Sequence, residues 1–148
     1  MIRTPEDNAL IVLQDRQGGD WGKPILPVAV RSTDGGENWG SPQALLPPNF
    51  PRMNDCIFKP TGLEDKRLLL SQVPGPGRKN LTLSIGSPDG ASWSPITIID
   101  PDPTAYSDIC MLPNNQCLVV YESGRKTSRN DLRLAAFNLE WLLAQEKQ

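Results

Sequence analysis

The sequence contains no histidine. That absence excludes Ser-His-Asp and Cys-His nucleophilic catalysis, histidine general bases and histidine metal ligands. Any chemistry must rest on Asp, Glu, Tyr, Arg, Lys or Cys. Cysteine is scarce. The three present, Cys56, Cys110 and Cys117, fit no C-x-x-C spacing, and without histidine they make a poor zinc set. Their odd number argues against a full disulfide framework, and the usual tendency of an unpaired thiol reads all three as small buried hydrophobes. No metal and no cofactor is expected. Neither sign of charge dominates: 15 basic and 17 acidic residues leave a net charge of -2, whereas a nucleic-acid binder ordinarily shows a basic excess or stripe. No apolar run is long enough to span a membrane. The opening MIRTPEDNAL has no signal-peptide character.

Turn formers, by contrast, are abundant. The 148 residues include 15 prolines and 12 glycines, roughly 18% against about 12% in average usage. Between them lie short apolar runs of strand length: Ala9–Leu13, Pro24–Val30, Gln43–Leu46, Cys56–Phe58, Arg67–Leu70, Asn80–Ile85, Ile96–Ile99, Ser107–Leu112, Cys117–Tyr121 and Leu132–Phe137. Most are bounded by Gly, Pro, Asn or Asp, the pattern of an all-β chain of antiparallel hairpins. Only the tail, Leu139–Gln148, reads as helix, with Leu139, Leu142 and Leu143 at i, i+3 and i+4.

An internal repeat sharpens this reading. Ser32-Thr33-Asp34-Gly35-Gly36-Glu37-Asn38-Trp39 closes one strand and Ser87-Pro88-Asp89-Gly90-Ala91-Ser92-Trp93 closes another, with the tryptophans 54 residues apart. The first fits S-x-D-x-G-x-T-W, the Asp-box, with Asn38 in the Thr place; the second is one residue short. Ser and Asp cap turn amides, glycine supplies positive φ, and the tryptophan packs back on the hairpin. A period near 40–50 residues with four strands per repeat is the pattern of propeller blades. The chain reads as about two and a half to three four-stranded blades: an incomplete one over residues 1–50, one over 51–102, and one over 103–148 that includes the tail.

Antiparallel order then sorts the polar residues. Second-strand ends and first- and third-strand starts share one rim, opposite the Asp-boxes. On that rim fall Arg16, Asn54, Asp55, Arg78, Lys79, Asn80, Tyr106, Ser107, Asp108 and Glu122, with Arg125, Lys126, Arg129 and Asp131 in the next loop. Taken singly, an arginine there is a solvated charge, Tyr106 a half-buried strand aromatic and Glu122 part of a rim salt bridge. Their convergence is what points to a ligand site.

On these residues the chain resembles the sialidase (neuraminidase) superfamily, six-bladed β-propellers that include the exo-α-sialidases. Arg78-Lys79-Asn80-Leu81-Thr82-Leu83 resembles the family's R-x-N-L-T-L strand, whose arginine belongs to a triad that grips the substrate carboxylate. Ala105-Tyr106-Ser107-Asp108-Ile109 resembles its A-Y-S-D-L segment with the nucleophilic tyrosine. Val120-Tyr121-Glu122-Ser123-Gly124 resembles L-Y-E-x-G, whose glutamate orients the first triad arginine. Leu10–Arg16 is similar, more loosely, to the strand ending in the second. The resemblance implies a retaining, metal-free hydrolase of terminal sialic acids on glycans, with Tyr106 as nucleophile, Glu122 as orienting residue and Arg16 and Arg78 as carboxylate ligands; strand order adds Asn54, Asp55 and Asp108 as rim contacts. A tyrosine suits a sugar whose anomeric carbon carries a carboxylate, because a carboxylate nucleophile would meet like charge. A phenol ionises near pH 10, so such a tyrosine needs a base beside it.

The same comparison shows departures. The first triad arginine, the general-acid aspartate and the activating glutamate have no counterparts, so the chain reads as the C-terminal half of a sialidase, inactive alone. Two rival readings stand beside it: a non-catalytic propeller that binds carbohydrate, and a structural Asp-box module.

Overall fold

The computed structural model describes residues 2–3, 9–15, 26–44, 61–62, 66–74 and 77–146. Ten strands and one helix follow in order: β1 (Ile2–Arg3), β2 (Ala9–Asp15), β3 (Leu26–Ser32), β4 (Gln43–Ala44), β5 (Thr61–Gly62), β6 (Leu68–Gln72), β7 (Lys79–Gly86), β8 (Trp93–Met111), β9 (Gln116–Ser123), β10 (Asp131–Asn138) and α1 (Leu139–Gln145). The strands form an antiparallel four-stranded sheet, β1-β2-β3-β4, and a six-stranded sheet, β10-β9-β8-β7-β6-β5. The chain is therefore all-β, as its turn-bounded runs predict. The expected first strand at Cys56–Phe58 lies outside the described residues.

One expectation is corrected. Ile96–Ile99 and Ser107–Leu112 read as separate strands, but the structure joins them in the 19-residue β8. The linking residues Asp100–Thr104 include Pro101 and Pro103. Proline holds φ near -65° and biases the residue before it towards extended backbone, so the pair extends the chain instead of turning it. The N-terminal part of β8 pairs with β7 and the C-terminal part with β9.

Burial follows this arrangement. Every residue of β6 and residues 81–86 of β7 are buried, so this part of the sheet is covered on both faces. Leu68, Leu69, Leu70, Leu81, Leu83 and Ile109 form the centre of the core, which Ala29 of β3 joins. In β9 burial alternates: Cys117, Val119 and Tyr121 face the core, and Val120 is exposed. In β10, Leu132 and Leu134 are 77% and 65% exposed. The alternation also corrects the reading of the thiols. Cys117 is buried, and burial pushes its thiol up to about 12; Cys110, on the opposite face of β8, is exposed. Cys56 lies outside the described residues.

The Asp-box hairpins are built as their residue types require. Ser32 Oγ accepts from the amide of Gly36 at 2.8 Å and Asp34 Oδ1 from that of Asn38 at 2.9 Å. Gly35 and Gly36 take φ of 73° and 100°, a region costly for a side chain. Hydrogen bonds from the Asn38 amide and side chain, with Ser32, lower the Asp34 carboxyl to about 2. In the shorter box Ser87 Oγ and Asp89 Oδ1 both accept from the Ala91 amide. Trp93 is buried with Nε1 donating to Gly90 O at 3.1 Å, whereas Trp39 stays 38% exposed. Arg31 Nε donates to Asp89 O, joining the two hairpins. At the other end of the chain, Asn138 caps α1 by accepting from Trp141 N, and Leu142 is buried. No helix among the described residues is long and apolar enough to cross a membrane.

Candidate functional site

Two irregularities in the ladder face each other where β7, β8 and β9 run side by side. In β7, Asn80 takes a left-handed φ of 63°, and the register with β8 shifts between Lys79 and Leu81. Asn tolerates this conformation better than most residues. Thr82 Oγ1 donates to Asn80 O at 2.8 Å, and Thr104 N to Arg78 O at 2.9 Å, so the segment is pinned on both sides. In β8, Thr104 pairs with Ser123 and Ser107 with Tyr121. Ala105 and Tyr106 together therefore oppose the single residue Glu122, the geometry of a β-bulge. Bulges bend a strand and re-aim its side chains, and they recur beside active sites.

The outcome is an open recess of about 570 Å³ at this end of the sheet. Arg78 just before β7, Tyr106 from β8 and Glu122 from β9 line it; the β9–β10 loop adds Arg129 and Asn130, and the start of β10 adds Asp131 and Leu132. The Arg78 guanidinium lies over the Tyr106 ring, 5.3 Å from its centroid, in cation–π contact. Tyr106 is 38% exposed and Glu122 half-buried. The β9–β10 loop is closely fitted: Gly124 N donates to Pro103 O and Arg129 N to Thr127 Oγ1. A Cβ on Gly124 would collide with Thr127 O and lie 2.9 Å from Asn130 Cβ.

The structure thus brings together five of the residues singled out from the sequence, Arg78, Tyr106 and Glu122 with Arg129 and Asp131. Asp108 lies elsewhere. It lines a second, smaller recess of about 170 Å³ with Cys110, Leu118, Val120 and Leu134, and its carboxylate accepts from Ile109 N at 2.8 Å. Two residues along a strand move a side chain by roughly 7 Å on the same face, enough to take Asp108 out of the first recess. Arg16, Asn54 and Asp55 lie outside the described residues.

Behind the recess, on the buried face, stands a polar cluster that the sequence reading does not anticipate. Asp100 accepts from Arg133 Nη1 at 2.8 Å, from Ser123 Oγ at 3.2 Å and from the Asp102 amide at 2.9 Å. Burial alone would raise its carboxyl. The Asp102 amide, Tyr121, Ser123 and Arg133 outweigh that and hold it below the usual range. Burial, then the Asp100 charge, raises the Tyr121 phenol. Ser71 and Ser107 bridge at 2.9 Å within the core beside Tyr106. Among the described residues no cluster of three or more acidic or thiol groups could hold a metal ion.

Comparison with known proteins accords with this architecture. A BNR repeat-like domain matches residues 2–132. Over 122 residues the chain is 30% identical to a sialidase from Micromonospora viridifaciens, covering 78% of this chain and 18% of that protein. Among solved structures, the intramolecular trans-sialidase of Ruminococcus gnavus, in complex with oseltamivir carboxylate, is similar with a TM-score of 0.64 at 21% identity. That match covers 95% of this chain and 32% of the other. The leech intramolecular trans-sialidase, complexed with 2,7-anhydro-Neu5Ac, is similar with a TM-score of 0.66 at 21% identity, over 97% of this chain and 23% of that one. At such identity the structural likeness speaks for the fold. The chain spans about a fifth to a third of the length of these relatives.

Proposed function

Because this chain belongs to the BNR repeat-like domain family and is related to sialidases, we propose that it carries part of an exo-α-sialidase site, a retaining glycoside hydrolase site for terminal sialic acids. The observation that carries this reading is the Arg78 guanidinium over the Tyr106 ring in a recess they share. A planar guanidinium binds a carboxylate through two parallel charge-assisted hydrogen bonds. In sialic acid that carboxylate is attached to the anomeric carbon, so the group that holds the acid also sets the reacting carbon beside the phenol. Tyr106 Oη attacks that carbon and the bond to the leaving oxygen breaks. Water then releases the sugar with net retention. In the family's site the glutamate at the place of Glu122 orients the first triad arginine, which has no counterpart in this chain, and Arg16 adds a second guanidinium. The sheets are read as blades of a propeller larger than this chain supplies.

The family resemblance places the base that takes the phenol proton, and the acid that protonates the leaving oxygen, outside these 148 residues. The chain alone therefore binds sialosides without turning them over. Saturation-transfer NMR with 3'-sialyllactose is expected to show contact at the sialic acid protons and none with lactose. The signal is expected to disappear in Arg78→Ala, whose side chain lies partly at the surface and whose loss leaves the core intact. Equal signals from lactose, or an unchanged signal in Arg78→Ala, would overturn the reading. A fluorogenic sialoside should not be hydrolysed; turnover that vanishes in Tyr106→Phe would show that the chain is catalytically sufficient.

A further inference from the structure

The recess is lined in strand order. Arg78 comes from just before β7, Tyr106 from β8, Glu122 from β9, and Arg129 from the loop that leads into β10. The two guanidiniums thus arise from opposite ends of the array, two to three strand spacings or roughly 10–14 Å apart at the backbone. The phenol and a carboxylate lie between them. Among the described residues neither the Arg129 nor the Glu122 side chain has a hydrogen-bond or ion-pair partner, although both line one recess. Asp131, the other carboxylate there, faces Arg133 at 4.0 Å. Two opposite charges left apart in a recess of about 570 Å³ leave room for a ligand of ordinary small-molecule size, about 300–1,000 Å³.

We propose that Arg129 is a specificity-determining residue that binds a second acidic group of the ligand, so that the recess favours glycans with two acids separated by a neutral, hydroxyl-bearing stretch. The inference rests on the proposed sialoside site. Arg78 takes the terminal carboxylate. Tyr106 and Glu122 lie between the two guanidiniums and supply no cation there, so the stretch between the acids is neutral. Arg129, beyond it, meets the acid of the next residue, as in a disialyl chain. The loop is suited to hold this position, because Gly124 lets it pack closely and Thr127 fixes the Arg129 backbone.

The test is an NMR titration of the chain with 3'-sialyllactose and with an α2,8-linked disialyl-lactose. Wild type is expected to bind the disialyl probe about two- to fivefold more tightly, the range for one solvent-exposed ion pair. The advantage should shrink at high salt. Arg129→Gln, an exposed loop substitution, should remove it, and Arg129→Lys should keep part of it. Equal affinity for both probes in wild type, or an advantage that survives in Arg129→Gln, would overturn the inference while leaving the sialoside site in place. Binding of neither probe, or of both regardless of Arg78→Ala, would overturn the site and this inference together.

Discussion

Asp100 is ionised while almost wholly withdrawn from solvent, because Arg133, Ser123 and a backbone amide supply what water would. Its carboxyl is held below that of an unfolded aspartate. Ionised Asp100 therefore stabilises the fold above about pH 4, and that contribution is lost as pH falls through the lower folded value. Asp34, lowered to about 2, acts in the same direction between about pH 4 and pH 2. Asp100→Asn is expected to cost about 1–3 kcal/mol at neutral pH and to flatten the acid limb of a urea-denaturation series. An unchanged acid limb would mean that other carboxylates set it. Nothing in the sequence marks this cluster, since Asp100 and Arg133 lie 33 residues apart without a motif. Arg78, Tyr106 and Glu122 could be assigned to one rim because antiparallel order fixes which strand ends meet. Asp108 could be placed only to within a few ångströms, which is the difference between one recess and another.

At the level of elements, strand existence follows from the alternation of turn formers and β-branched or leucine-rich runs, while irregularities in pairing do not. The bulges at Asn80 and at Ala105–Tyr106 depend on which strands meet, and no local composition announces them. The two hairpins show the same limit. Both carry Ser, Asp, Gly and Trp, yet Trp93 is buried against Gly86 and Trp39 is not. Trp93→Ala is accordingly expected to cost about 3–5 kcal/mol and Trp39→Ala less than about 1 kcal/mol, by chemical denaturation. Comparable losses would mean that Trp39 packs in solution. A Cβ at Gly86 would lie 2.7 Å from the Trp93 ring, so Gly86→Ala should behave like Trp93→Ala.

Across the whole molecule, burial is uneven. The β6–β7 region is enclosed on both faces, whereas the outer face of β9 and β10 presents Val120, Leu132 and Leu134 to solvent. An exposed apolar sheet face of this kind ordinarily marks a contact surface or an association liability. Leu83→Ala is expected to cost about 2–5 kcal/mol, and Leu134→Thr to change stability by less than about 0.5 kcal/mol while improving solubility. A large loss in Leu134→Thr would show that this face is covered in solution. Full burial accords with the unbroken run Leu68-Leu69-Leu70 of β6, but it is not legible in β7, where Leu81, Leu83 and Ile85 alternate with Thr82 and Ser84 in the pattern of a half-buried strand. That two sheets would merge was not legible either, because prolines usually separate strands.

The merger has a mechanical consequence. β8 serves its two neighbours with different halves: Trp93–Asp100 lies against β7 and Thr104–Met111 against β9, so Pro101 and Asp102 form a joint at which a break would leave each pairing largely whole. Amides in β7 and β9 should therefore exchange with solvent in separate openings that meet at this joint, and an engineered boundary is best sought there.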